Sequence, residues 1–297
     1  MKPRTLAILA GIGASTIYGL NHTIAKDVMP TYVQPSGFIM LRLAGAGLLF
    51  WGISFFAPKE KIEKKDWSRI LCCAVLGMGI NMLSFFKGLS LSTPINSAAL
   101  TTLTPILVVI LSALLIKEKI TLQKGMGIIL GCIGALILLL WGGKTSQNAP
   151  NIPLGNAFFI LNSICFGIYL ILVKKLTEKY HPFNLMKWLF GLGTLLCLPI
   201  TLPEFLEIEW RNLPGKAITA ILFVVLCTTF LTYLFNVYAL TKLKASSVSA
   251  FAYLQPLIGI IFAVLVGKDH LNSEKIGATL LIFIGVYLAT KKPTLSP

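Results

Sequence analysis

Residues 100–119 read LTTLTPILVVILSALLIKEK and residues 251–270 read FAYLQPLIGIIFAVLVGKDH. A shift of 151 residues lays Pro105 on Pro256, Lys117 on Lys268 and Glu118 on Asp269. Each stretch is a long apolar run holding one proline and closed by a Lys-acid pair, which reads as a membrane helix ending in a corner that sets the turn into the next. Each is also the fourth in a run of five apolar segments. Five crossings is an odd number, so the second copy must enter the bilayer upside down relative to the first.

The rest of the chain fits that frame. With 56% hydrophobic residues, 12% charged and a mean hydropathy of +0.81, its 297 residues lack the polar surface a soluble domain of this size needs. Crossing about 30 Å of hydrocarbon takes about 20 helical residues. Stretches of that kind lie at roughly 5–25, 35–57, 69–89, 94–116, 122–142, 153–173, 183–203, 217–239, 245–267 and 274–290. The alternating period of a membrane barrel is absent, so helices satisfy the backbone. The reading is an all-α integral membrane protein of ten transmembrane helices, built as two inverted five-helix repeats, residues 1–147 and 148–297.

Charge placement orients it. One set of alternate loops carries seventeen Lys and Arg residues and the other seven, and the richer set stays in the cytoplasm during insertion. Both termini are therefore expected in the cytoplasm, with the chain in the inner (plasma) membrane. The same asymmetry accounts for most of the +15 net charge, so the pI of 9.6 is no argument for nucleic acid as a partner. The start MKPRTLAILAGIGA could pass for a signal peptide. It reads as retained, because Tyr18-Gly19-Leu20-Asn21-His22 and Lys26 are echoed 148 residues later by Phe166-Gly167-Ile168-Tyr169 and Lys174.

Polar side chains at membrane depth are costly unless they meet one another, a cavity or a solute. The first helix carries Asn21 and His22, the third Asn81 and Ser84, the fourth Thr101 and Thr104, the sixth Asn162 and Tyr169, the eighth Tyr233 and Asn236, the ninth Tyr253 and Gln255. The fifth and tenth carry almost none, a split that favours a pocket over uniform packing. Alternatives stand beside it: Thr101 and Thr104 can bond back to helix carbonyls, Asn21, Asn236 and Gln255 can pair between helices, and Tyr233 and Tyr253 can fill space. Pro105 and Pro256, in mid-helix at matching positions, each remove a backbone donor and suggest hinges.

Arg42 and Lys187 lie several residues inside their spans from opposite faces, as inversion of one ancestral cation predicts, and either snorkel or act as a gate or an anion contact. All eleven carboxylates fall in loops or at helix ends, leaving His22 as the one mid-span group able to titrate near neutrality. The six cysteines read as packing residues without a metal-type spacing. Gly127 and Gly131 make a small-xxx-small face for close packing within the protomer or for a homodimer contact. No nucleotide-loop, zinc-protease or nucleophile-elbow motif appears, so no cofactor or metal is expected and enzyme activity is disfavoured.

These residues resemble the EamA-type ten-helix permeases of the drug/metabolite transporter superfamily. The likeness rests on Tyr18-Gly19-x-Asn21 with Lys26, Arg42, the segment from Phe85 through Gly88 to Pro105, Glu118 with Gly127, and the echoes Ala239, Pro256, Asp269 and Gly277. Asp269 stands where Glu is more usual, Gly277 follows it by eight residues rather than nine, and His22 after the Asn is atypical. The resemblance implies a central cavity lined mainly by helices one, three, four, six, eight and nine, which adds Tyr18 and Phe85 to the site. It also implies alternating access to a small-molecule substrate, most simply export of amino acids or related metabolites. An anionic solute such as a sugar phosphate or nucleotide sugar is the alternative, and a membrane-embedded lipid-modifying enzyme is the third reading.

Overall fold

The computed structural model describes residues 3–101, 103–116, 121–141, 149–243, 248, 251, 254–268 and 272–290. Among them the helices form ten rods: α1 Pro3–Val28, α2 Pro35–Ser54, α3 Lys64–Leu91, α4 in two pieces Pro94–Thr101 and Thr104–Ile116, α5 Leu122–Trp141, α6 Ile152–Thr177, α7 Pro182–Leu206, α8 Gly215–Lys242, α9 Leu254–Leu265 and α10 Ser273–Thr290. Six of these are long and apolar enough to cross a membrane by length and composition. Helix starts follow local chemistry. Pro35 and Pro182 sit in first turns, where no amide partner is lost, and the Asn151 side chain caps α6 by accepting from Leu154 N at 3.1 Å.

Packing partners map onto themselves when the helix number is shifted by five. Helix α3 packs on α6 as α8 packs on α1, α4 packs on α6 as α9 packs on α1, and α2 with α7 and α5 with α10 form self-matching pairs. The two halves also run in opposite directions. Lys26, near the end of α1, donates to Leu89 O at the end of α3, and Asn151 N at the start of α6 donates to Leu91 O of that same turn. Helix α1 therefore ends where its counterpart α6 begins, which is the inverted repeat that an odd number of helices per half requires.

The lysines echoed in the sequence do the same work in both halves. Lys26 Nζ donates to Leu89 O (2.6 Å) and Ser90 O (3.1 Å), and Lys174 Nζ donates to Leu240 O (2.8 Å). Each puts a cation on the free carbonyls and negative dipole end of a hairpin helix. Carboxylates show a second reciprocity. Glu204 Oε2 accepts from Ser36 N and Gly37 N at the start of α2, and Glu60 Oε2 accepts from His181 N and Asn184 Nδ2 at the start of α7. Beside Glu60, Lys179 Nζ bonds Asp66 at 2.8 Å and Glu63 at 3.2 Å. The Asp66 hydrogen bond holds the Lys179 pKa above its ordinary value, while Lys65 and Lys179 hold the Glu63 carboxyl below its own.

The α5–α10 seam is built from glycine. A Cβ on Gly285 would collide with Gly127 O and the Gly131 backbone, and one on Gly134 would meet Ala278 O. The Gly127/Gly131 face is thus consumed by close packing inside the chain, where backbones meet without side chains between them. Replacing Gly285 with Val is expected to overpack this seam by about 1–3 kcal/mol, read as a lowered melting point in detergent; an unchanged one would place the seam's stability elsewhere.

Both long middle helices widen at matching points. Ala74–Ile80 in α3 and Phe223–Leu231 in α8 are π-helical and end 151 residues apart, the repeat shift itself. In α8 the Thr229 hydroxyl donates to Val224 O five residues back, taking up a carbonyl that the wider turn displaces.

Candidate functional site

Between the halves lies a cavity of about 70 Å³, lined by Tyr18, Asn21, His22, Arg42, Asn81, Met82, Phe85, Thr101, Thr104, Asn162, Phe166, Thr228, Tyr233 and Gln255. Seven rods contribute, α1–α4, α6, α8 and α9, and among the described residues none of the lining comes from α5, α7 or α10. The wall next to the π segments is set by them: the register change after Ile80 brings Asn81 and Met82 to the lining, and Thr228 and Tyr233 bracket the end of the second π segment. Such widened turns are frequent at functional sites.

Hydrogen bonds fix much of the wall. Asn81 Nδ2 donates to Asn162 O (3.1 Å) and Asn162 Nδ2 donates to Asn81 O (2.9 Å), a reciprocal clasp between α3 and α6. Tyr233 OH donates to Gly77 O at 3.1 Å. Thr101 Oγ1 bonds Ser97 O and Ala98 O, and Thr104 Oγ1 bonds Thr101 O, so both threonines satisfy helix carbonyls and face the cavity as well. His22 is buried, with its Nδ1 2.8 Å from Ser97 Oγ and its ring 5.6 Å from that of Phe85. The hydrogen-bonding roles of that pair depend on the imidazole tautomer.

The remaining sequence-predicted positions fall elsewhere. Tyr169 does not line the cavity; it stands one layer back, stacked on Phe166 and 6.3 Å from the Tyr233 ring. Asn236 does not line the cavity either; it lies near the Tyr18 phenol, as does Thr232. Tyr253 lies outside the described residues, as do Glu118 and Asp269.

Neither hinge proline lines the cavity. Pro105 lies in Thr104–Ile116, and Leu103 N bonds back to Leu100 O just before it. Pro256 lies in Leu254–Leu265, and residues 252–253 before it are outside the described residues.

The two intramembrane cations differ. Arg42 does not snorkel: it is 4% exposed, its Nε donates to Thr229 Oγ1 at 2.7 Å, and its guanidinium lies 4.7 Å over the Phe86 ring. Lys187 points away from the cavity and rests over Trp51 and Trp188, a cation–π seat outside the chamber. Met82, Phe166 and Thr228 were absent from the sequence expectation, because an apolar or small hydroxyl side chain inside an apolar helix carries no mark of which face it presents.

Two inverted bundles of helices enclosing a polar-lined chamber define a membrane transporter. The chain belongs to the EamA-like transporter family, whose model matches residues 5–140 and again 153–291. It is 26% identical to the uncharacterized transporter YyaM of Bacillus subtilis over 94% of this chain and 92% of that one, and 27% identical to an uncharacterized transporter of Archaeoglobus fulgidus over 93% and 96%. A WAT1-related protein of Arabidopsis thaliana is 21% identical over 94% of this chain and 84% of its own. A solved crystal structure matches with a TM-score of 0.67, covering 96% of this chain and 97% of that one at 16% identity, a likeness of fold alone.

Proposed function

We propose that the protein carries small polar or amphipathic metabolites, amino acids or related compounds first among them, out of the cytoplasm by alternating access about the central cavity. The division near residue 147, the inner-membrane location and the cytoplasmic termini belong to the same reading. The observation that carries it is convergence: ten sequence-predicted positions from six rods, with Arg42 from a seventh, meet at one void shared by both halves. At 70 Å³ the void is smaller than the roughly 300–1,000 Å³ of a drug-sized site, so the cargo is small or the chamber widens when it opens. A second cleft of about 750 Å³, lined by Leu6, Leu9, Ala10, Pro182, Phe235 and Tyr238 among others, lies at the end bearing the start of α1, which on this reading faces the cytoplasm.

Solute counterflow in proteoliposomes tests the reading: preloading with the cargo should drive uptake of its labelled form, and the absence of flux for any solute that binds would refute it. Facilitated transport or exchange is the default mode, since none of the described carboxylates lines the cavity. His22 is the one candidate for proton coupling. If it couples, His22→Gln should abolish the response of uptake to an imposed pH gradient; unchanged pH-driven uptake removes that role.

A further inference from the structure

Arg42 poses a physical problem that its contacts leave unsolved. It is a permanent cation, 4% exposed, on a helix that crosses hydrocarbon. Its partners within the protein are a hydroxyl and an aromatic face, Thr229 and Phe86, and none of the described carboxylates pairs with it. Buried charges of this kind are rare and are balanced by a counter-ion or face a solute path. Around the same cavity Asn21 Oδ1, His22 Nε2 and Thr228 Oγ1 are buried without a hydrogen-bond partner in the protein, on side chains that are each at most 2% exposed. Uncompensated polar atoms converging on one void are the marks of a site completed by a ligand.

We infer that Arg42 is the anchor for a single carboxylate, and that the transported solute is a small monocarboxylate bearing at least one hydrogen-bond donor, such as a hydroxy acid or a neutral amino acid. This rests on the transport reading and narrows its substrate class. A guanidinium offers two parallel donors matched to a carboxylate. The Asn21 oxygen accepts only, so it calls for a donor on the solute. Dianions are disfavoured by charge counting: Lys26 is committed to Leu89 O and Ser90 O, Lys187 rests on tryptophans, and Lys87 is exposed, leaving one cation at the chamber. Solutes with a net positive charge meet Arg42 with no carboxylate beside it.

The test pairs isosteres. The purified protein is melted in detergent with L-threonine or L-lactate, with L-threoninamide or lactamide, and with inorganic phosphate, because a ligand that binds the folded state raises its melting point. At least one of the two carboxylates should raise the melting point while its amide and phosphate leave it unmoved. Arg42→Lys should weaken the carboxylate response tenfold or more and Arg42→Gln should abolish it. Without ligand, Arg42→Gln should melt no lower than the native protein, because it removes a buried, uncompensated charge.

Equal responses to carboxylate and amide, a response to phosphate alone, no response to any of the probes, a carboxylate response that survives Arg42→Gln, or a ligand-free Arg42→Gln protein that melts lower would each overturn the assignment. Counterflow keeps the two readings apart: flux of an uncharged solute that ignores Arg42 would leave the transporter standing and remove its carboxylate anchor.

Discussion

Replacing Gly77 with leucine is expected to stop transport and to destabilise the folded protein. Gly77 lies in the π segment of α3, and a Cβ there would stand 2.5–3.0 Å from three carbons of the Tyr169 ring. Tyr169 has no room to retreat, being 1% exposed and stacked on Phe166, which itself lines the cavity. The Gly77 carbonyl also accepts the Tyr233 hydroxyl, so the position ties α3 to α8 across the cavity. Overpacking of a filled interior costs about 1–3 kcal/mol. Because the displaced groups are the walls of the site, flux should fall on the order of 100-fold, the scale on which an ångström of misplacement slows a positioned reaction. The double variant Gly77→Leu with Tyr169→Ala returns the volume and should recover part of both losses, since contacting residues couple strongly in such cycles. Native-like melting and flux in Gly77→Leu alone would show that this contact positions nothing.

Much of this architecture is written plainly in the sequence, and the parts that are not share a cause. Hydropathy locates the rods because each must bury its backbone in lipid on its own, and the 151-residue shift is visible because both copies solve the same problem. The polar residues Asn21, His22, Asn81, Asn162 and Tyr233 mark the chamber for the same local reason: a polar group at that depth is expensive. What escapes is anything decided between helices. The π segments at Ala74–Ile80 and Phe223–Leu231 contain no proline, and in the first of them glycines give no sign of the wider turn. Helix α2 reads as a plain apolar span apart from Arg42, and only the fold shows that residue reaching the chamber instead of an interface. Glu60 and Glu204 look like loop carboxylates until each is found at the start of a helix from the other half.

The two ends of the molecule differ in a way that predicts a lock. Where α3 turns into α4, Ser92 Oγ donates to Asn156 Oδ1 at 2.7 Å, and Ser92, Asn96 and Asn156 are fully buried against α6. The repeat shifts map Ser92 to Leu243 and Asn156 to Ile8, and among the described residues Leu6, Ile8 and Leu9 are exposed there beside the 750 Å³ cleft. One state of an inverted repeat describes the other by exchange of its halves, so opening the far side requires the Ser92 corner to separate from α6. The Ser92 and Asn156 side chains already meet at 2.7 Å, within the reach of a disulfide, whose Cβ atoms lie about 3.5–4.5 Å apart. With the six native cysteines replaced, Ser92→Cys with Asn156→Cys should therefore oxidise, lose nearly all counterflow, and regain it on reduction. Ligand binding should survive, because the cross-link replaces none of the residues that line the cavity. Flux persisting through the oxidised protein would mean that solute does not pass by this corner, and alternating access about the two halves would have to be abandoned.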